Sequence, residues 1–286
     1  MQTETVSQNG LMTDGNILKK IIFFSVPLIL GNLLQQLYNT ADSIIVGNFV
    51  GSNALAAVGS STSLINLLIA FSQGAAVGAG VVVSQYLGAD DRKGIRDAVH
   101  TSMAIALILG IALTIGGVFL SRPLLLWMHT PQDVLADSVA YLQIYFGGVV
   151  FNVLYNMASG ILNAVGNSKR SLLYLGSASI TNIVLDLLLV RGFHMGVAGA
   201  AIATDISQLV SSVLAIGFLM RVPTSYRISL RRIRIQKKMA SRIIRIGLPT
   251  GIQNMVISFS NVLVQSSVNR FGADAMAGFG AYMKID

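Results

Sequence analysis

Seven long apolar runs dominate this sequence, at roughly 17–40, 54–86, 98–120, 135–163, 171–190, 196–220 and 240–268, and an eighth opens near 273. A helix of about 20 apolar residues crosses a hydrocarbon core about 30 Å thick, so each of the seven is long enough to span a membrane. The runs are too long for strands and do not alternate, which argues against a membrane barrel. Composition agrees: 53% of residues are hydrophobic and 11% charged, against about 25% charged in a soluble domain. Such a chain cannot cover itself with polar groups, so the expected solvent is lipid. The expected fold class is an all-α polytopic membrane protein.

A repeat narrows the architecture further. The stretch Phe49-Val50-Gly51-Ser52-Asn53-Ala54-Leu55-Ala56-Ala57-Val58-Gly59 returns as Phe271-Gly272-Ala273-Asp274-Ala275-Met276-Ala277-Gly278-Phe279-Gly280, with one deletion at Val50. Upstream, at an offset of 222, Pro27 pairs with Pro249, Asn32 with Asn254, Asn39 with Asn261 and Val46 with Val268. Six runs precede the second copy. Six is even, so both copies enter from the same side, and the repeat is parallel, related by an axis along the membrane normal. The expected organisation is a polar tail at 1–16, a six-helix lobe at 17–220, a basic linker at 221–239 and the start of a second lobe at 240–286. The second copy stops soon after it starts, so the chain reads as one complete half plus helix seven and the opening of helix eight. The missing helices of the second lobe are expected in the intact protein.

Charge fixes an expected orientation. One set of flanks holds Lys19, Lys20, Arg92, Lys93, Arg96, Lys169, Arg170, Arg221, Arg227, Arg231, Arg232, Arg234, Lys237, Lys238, Arg242 and Arg245, and the other only Arg122, Arg191 and Arg270. The asymmetry alternates at every loop, so by the positive-inside rule the N-terminus is expected in the cytoplasm of a bacterial-type inner membrane. It also accounts for the net charge of +8 without a nucleic-acid partner. The polar first sixteen residues carry no cleavage signature, and no removable signal peptide is expected. There is no cysteine, hence no disulfide framework and no thiolate metal site. No HExxH, Walker loop or nucleophile elbow occurs, so an enzyme is not expected.

Polar residues inside apolar runs carry the functional signal, because a carboxylate in a span is costly and generally faces the bundle interior or water. Helix one holds Gln35, Tyr38, Asn39 and Asp42, at spacings that put them on one face. Helix five holds Asn182 and Asp186, four apart and stacked on one face. Helix six holds Thr204 and Asp205, then Gln208. Asp42 lies close to the expected outer boundary of helix one and also reads as an interfacial residue at a helix end. Asp186 sits among Leu, Val and Ile, with no base within four positions. Asp205 reads either way. Asp42, Asn182, Asp186 and Thr204 fall at one depth, in the outer half of the membrane. Two carboxylates at one depth disfavour double ionisation, which with neutral oxygens beside them suits a Na⁺ or a shared proton. The second copy has Val264 where the first has Asp42, with Gln265 beside it, so a cation site would belong to the first half. Pro27 removes a helical hydrogen bond and marks either a static kink or a hinge.

Together these pieces resemble the multidrug and toxic compound extrusion (MATE) family. The matching residues are Ser25-Val26-Pro27, Asn39-Thr40-Ala41-Asp42 followed by Gly47, the repeat motif from Val50-Gly51 to Gly59, Asn182-Ile183-Val184-Leu185-Asp186, and Gly199-Ala200-Ala201-Ile202-Ala203-Thr204. The resemblance implies a parallel twelve-helix, two-lobe transporter, no cofactor, and exchange of Na⁺ or H⁺ for drugs or organic cations. It makes Asp42, Asn182, Asp186 and Thr204 the cation-binding and coupling residues, with Gln35, Tyr38, Asn39 and Asp205 as a further polar cavity and Pro27 as the hinge. Two other readings stay open: a lipid-linked oligosaccharide flippase of the same superfamily, and an inactive truncated remnant.

Overall fold

The computed structural model describes residues 17–285; the expected tail at 1–16 lies outside them. Eight α-helices follow in order: α1 Ile17–Phe49, α2 Ser52–Gly88, α3 Arg92–Trp127, α4 Gln132–Ala164, α5 Ser168–Asp186, α6 Gly196–Arg221, α7 Lys237–Asn269 and α8 Ala273–Ile285. A π-helical segment, Leu187–Gly192, extends α5, and a 3₁₀ turn, Leu230–Arg232, interrupts the link to α7. There is no strand among the described residues.

The helices are joined by tight turns whose chemistry is legible. Gly51 holds φ 119° between α1 and α2, and its counterpart Gly272 holds φ 92° between α7 and α8. Both conformations lie where a Cβ would be strained, which explains why the repeat motif keeps glycine there. Asp91 caps α3, its side chain accepting from the Gly94 N–H at 2.9 Å, a standard answer to the unpaired donors of a first turn.

Among the described residues, six helices, α1 to α4, α5 with its π-helical extension, and α6, are long and apolar enough to cross a membrane. The seventh expected span is helical, 33 residues long, but falls short of the other six in apolar content. The difference has a physical source. Lys237, Lys238, Arg242 and Arg245 occupy the first turns of α7, and Gln253, Asn254 and Asn261 interrupt its apolar stretch. Side chains such as Ile29, Leu33, Leu37 and Ile44 of α1 point outward, as lipid-facing residues do.

Helix α2 is central and packs on α3, α4, α7 and α8, while α1 rests chiefly on α5. A Cβ added to Gly59 would lie 3.0 Å from Gly280 Cα, and one added to Gly280 would lie 3.2 Å from Gly59 Cα. These two glycines are the last positions of the two copies of the motif. Equivalent residues touching one another is the mark of a two-fold axis passing between them. The contact puts the axis of the repeat between α2 and α8, as a parallel repeat requires.

The buried apolar side chains form two main clusters at different depths. One contains Ala79, Val99, Ile161, Tyr174 and Leu219 toward the basic end. The other contains Val46, Leu64, Leu142, Val190 and Ala200 toward the opposite end.

Candidate functional site

Between those clusters lies a layer of buried polar residues. On α1, Asp42 separates Tyr38 of the first cluster from Ile45 of the second. On α5, Asn182 and Asp186 stand between Ala178 and Val190, and on α6 Thr204, Ser207 and Gln208 stand between Ala201 and Ala215. Asn182 and Asp186 are fully buried, and Asp42 and Thr204 nearly so.

The geometry within the layer is specific. Asn182 Nδ2 donates to Thr204 Oγ1 at 3.4 Å, and Thr204 Oγ1 donates to the Ala200 carbonyl at 3.1 Å. Asn182 therefore spends its donor on α6, and its Oδ1 is left without a protein donor. The carboxyl of Asp186 lies against that of Asp42, and otherwise both its oxygens lack a protein donor. Buried oxygens without donors are costly, and here three of them come from one helical turn of α5. Such a set of hard oxygens, with two carboxyls side by side, suits either a small hard cation or a proton held between the acids.

The four residues proposed from sequence for cation binding thus come together, but not all at the depth the sequence suggested. Helix α1 continues to Phe49, so Asp42 lies seven residues, about 10 Å at 1.5 Å per residue, inside its end. It is a buried residue rather than an interfacial one. Asp186 is the last α-helical residue of α5, and the π-helical turn begins immediately after it. A π turn shifts the register by one residue and is common at functional sites. Asp186 and Val190, on either side of the start of this turn, are both buried.

The further polar residues divide. Tyr38 is buried, and its hydroxyl engages Gln208 and lies within electrostatic reach of Asp42. Asn39 is half-buried and Gln35 exposed. Asp205 turns away from Thr204 toward α4, where a Cβ on Gly148 would meet its carboxyl carbon at 2.2 Å. Pro27 is buried on the basic-end half of α1. Sequence reasoning expected α4 as a span but placed none of its residues in the site. Tyr141 and Tyr145, both buried, stack with ring centroids 6.4 Å apart. Tyr141 lies within electrostatic reach of Asp42, Asp186 and Asp205. Two tyrosines four apart in an otherwise apolar run were the available signal.

A helical bundle with an internal two-fold repeat and a buried acidic layer between apolar cores is the architecture of a membrane transporter built from repeats. Comparison with known proteins identifies which kind. The MatE family model matches residues 27–188, and the chain belongs to that family, whose members are transporters rather than enzymes. It is 34% identical to Probable multidrug resistance protein YpnP of Bacillus subtilis (strain 168), over 96% of this chain and 61% of the relative. Among solved structures it is similar to an inward-facing conformation of a multidrug resistance MATE family transporter of the MOP superfamily, with a TM-score of 0.82 and 28% identity over 92% of this chain and 61% of that one. An outward-facing conformation of such a transporter matches with a TM-score of 0.80 and 28% identity, over 93% and 62%. The chain spans about three fifths of the length of the relatives it matches.

Proposed function

We propose that these residues form the first lobe, and the opening of the second, of an exporter that couples the entry of Na⁺ or H⁺ to the removal of drugs or other organic compounds. The observation that carries this reading is the cluster of buried oxygens on α5, Asn182 Oδ1 and the Asp186 carboxylate, placed against Asp42. In the cycle the cation or proton enters the layer and lies between the two acids, with Asn182 and Thr204 as neutral neighbours. Charge compensation there removes the repulsion between the carboxyls and draws α1 toward α5. Release restores the repulsion and lets α1 move back, so the bound ion and the position of α1 change together. The similar match to inward-facing and outward-facing relatives supports a lobe that moves largely as a body during alternating access. No Lys or Arg occurs among the buried residues of the layer, which favours cationic or neutral cargo over the anionic headgroup of a flippase substrate. The intact protein sits in the bacterial inner membrane with the basic end of the bundle in the cytoplasm.

Efflux of a fluorescent cation from cells carrying the full-length gene tests the coupling. Asp186→Asn, which keeps shape and removes the titration, is expected to abolish gradient-driven efflux while the protein still reaches the membrane. Wild-type efflux by this variant would overturn the proposed site. Orientation is checked separately by single-cysteine labelling on the cysteine-free background: a cysteine at Gln132 should react with an impermeant reagent in intact cells, and one at Arg231 should not.

A further inference from the structure

At the basic end of the bundle, away from the acidic layer, the start of α3, the end of α6 and the link to α7 enclose an open basin of about 1290 Å³. Six cationic side chains line it: Arg92, Lys93 and Arg96 from α3, and Arg227, Arg231 and Arg232 from the link. Among the described residues, no acidic side chain lines it. Asp91, beside the rim in sequence, is committed to capping α3 through the Gly94 N–H. A shared basin of this charge is costly to assemble without an anion, since like charges brought together repel.

The basin is built rather than a loose cluster of surface charge, because the link is pinned along its length. The Ile228 N–H donates to the Leu219 carbonyl at 2.8 Å. The Ser229 N–H donates to Nε2 of His100 at 3.1 Å, and Nδ1 of that buried ring lies 2.7 Å from the Arg96 carbonyl. Through these two contacts the His100 ring ties the link to the α3 wall. Farther along, Thr101 Oγ1 accepts from the Gln236 N–H at 3.3 Å and donates to the Arg234 carbonyl at 3.4 Å. Between these ties the Arg232 N–H closes the 3₁₀ turn on the Ser229 carbonyl at 2.9 Å. Arg231 and Arg232 are thereby presented from a fixed turn, opposite Lys93 and Arg96.

We propose that this basin is a binding site for the phosphate headgroup of an anionic membrane lipid. Guanidinium groups match phosphate oxygens in a bidentate manner, and several of them facing inward suit a phosphodiester rather than a lone carboxylate. The lipid source follows from position and from what flanks the charges. Both α3 and α6 pass from apolar to basic sequence at this level, which is where a headgroup lies. Leu230, on the same turn as Arg231 and Arg232, is exposed on the basin wall, and Ile235 is exposed just beyond it. These side chains have acyl chains to meet if the ligand is a lipid, and only water if it is a soluble phosphate ester. The bound headgroup would fix the link between the two halves to one leaflet.

The test uses the purified full-length protein in detergent, with native mass spectrometry to count retained phosphatidylglycerol and phosphatidylcholine. The wild type is expected to retain phosphatidylglycerol in preference to phosphatidylcholine. Each Lys or Arg near an anionic leaflet contributes a factor of about five, so the paired variant Arg231→Gln, Arg232→Gln should weaken retention about thirtyfold. Lys93→Gln with Arg96→Gln should weaken it similarly from the other wall. Lys169→Gln, basic and at the same end but outside the basin, should leave retention unchanged. Thermal unfolding midpoints close to that of the wild type identify variants that have kept their fold. Equal retention by the wild type and both paired variants would overturn the site. A loss as large in Lys169→Gln would also overturn it, by reducing the effect to general attraction. If inorganic pyrophosphate displaces the lipid at equal concentration, the ligand is a soluble phosphate and the lipid assignment fails.

Discussion

Helices α1 and α7 are copies of one sequence element, and each is 33 residues long with an internal proline. They are held differently. Helix α7 lies against α2 along its length, with Gly247 and Gly251 meeting Gly74 and Gly78 backbone to backbone. Helix α1 packs chiefly on α5, and the stretch of α8 described here, Ala273–Ile285, does not reach the positions that would match Gly74 and Gly78. Their polar contents differ in the same sense. Asp42 of α1 is buried, while its counterpart Val264 is exposed and the neighbouring Gln265 is buried instead. Gln265 Nε2 donates to Asn269 Oδ1 at 2.9 Å, and Asn269 Nδ2 donates to the Met128 carbonyl at 3.0 Å. The first copy thus carries a titratable group facing a second acid, and the second carries amides tied to their neighbours. A change of charge at Asp42 therefore acts on α1, and the matching place in α7 has no titratable group to change.

The largest expected effect breaks this comparison at the acid. Asp42→Asn should abolish ion-driven efflux, as Asp186→Asn should, because each removes one half of a pair that works by changing charge. Gln265→Leu, at the matching place in α7, should leave efflux near the wild-type level and lower thermal stability instead, by about 1–3 kcal/mol for the Asn269 Oδ1 it leaves unpaired. Efflux assays and thermal unfolding on the same set of variants separate the two. If Gln265→Leu abolishes efflux while the protein stays folded, the second copy has a coupling role of its own and the contrast fails.

Next in size is the contact that holds α7. A Cβ on Gly78 would lie 2.4 Å from the Ile243 carbonyl oxygen and 2.7 Å from Gly247 N. Those are backbone atoms and cannot swing aside, so Gly78→Ala forces the helices apart and should cost about 1–3 kcal/mol. A methyl group added at Gly116 of α3 would have nothing within 4 Å, so Gly116→Ala should be neutral or stabilise by up to about 1 kcal/mol through helix propensity. Thermal unfolding in one detergent compares the two. Equal midpoints would show that the glycine contact does not hold α7.

Much of this arrangement is legible in the sequence because it is written in hydropathy and in repetition. The spans of α1 to α6, the repeat and the residues Asp42, Asn182, Asp186 and Thr204 all stand out against apolar neighbours. Features set by backbone geometry do not. Hydropathy ends the first run near residue 40, where polar residues begin, yet the helix runs to Phe49 and turns only where Gly51 permits it. The π-helical turn after Asp186 leaves no mark in a Leu-Leu-Leu-Val run. The repeat sets Val264 opposite Asp42, but which of Val264 and Gln265 faces inward depends on how α7 rotates against α2. Tyr141 and Tyr145 escape notice because aromatic residues in an apolar run read as ordinary core until an acid is found beside them.

The smallest expected effect concerns the two prolines. Each lacks an N–H, so the carbonyl four residues earlier, Phe23 in α1 and Arg245 in α7, loses its helical donor and the helix is weakened there. The surroundings differ. Pro27 is buried and Pro249 exposed. Near Pro27, the Ser168 hydroxyl reaches the next carbonyl, that of Phe24, at 3.5 Å, which gives α1 a partner on α5 at its weak point. Pro249 lies between Gly247 and Gly251, whose contacts with α2 fix the helix on either side. A weak point in a clamped helix is only a local loss of hydrogen bonding, whereas the proposed coupling through Asp42 would use the weak point in α1 as a hinge. Pro27→Ala restores the missing donor and favours a straight α1, so it should slow efflux without abolishing it, since both acids remain. Pro249→Ala should slow efflux less. Initial efflux rates, corrected for the amount of protein in the membrane, decide the matter. Equal slowing by the two variants would mean that α7 bends as freely as α1, and that the glycine contacts with α2 do not hold during transport.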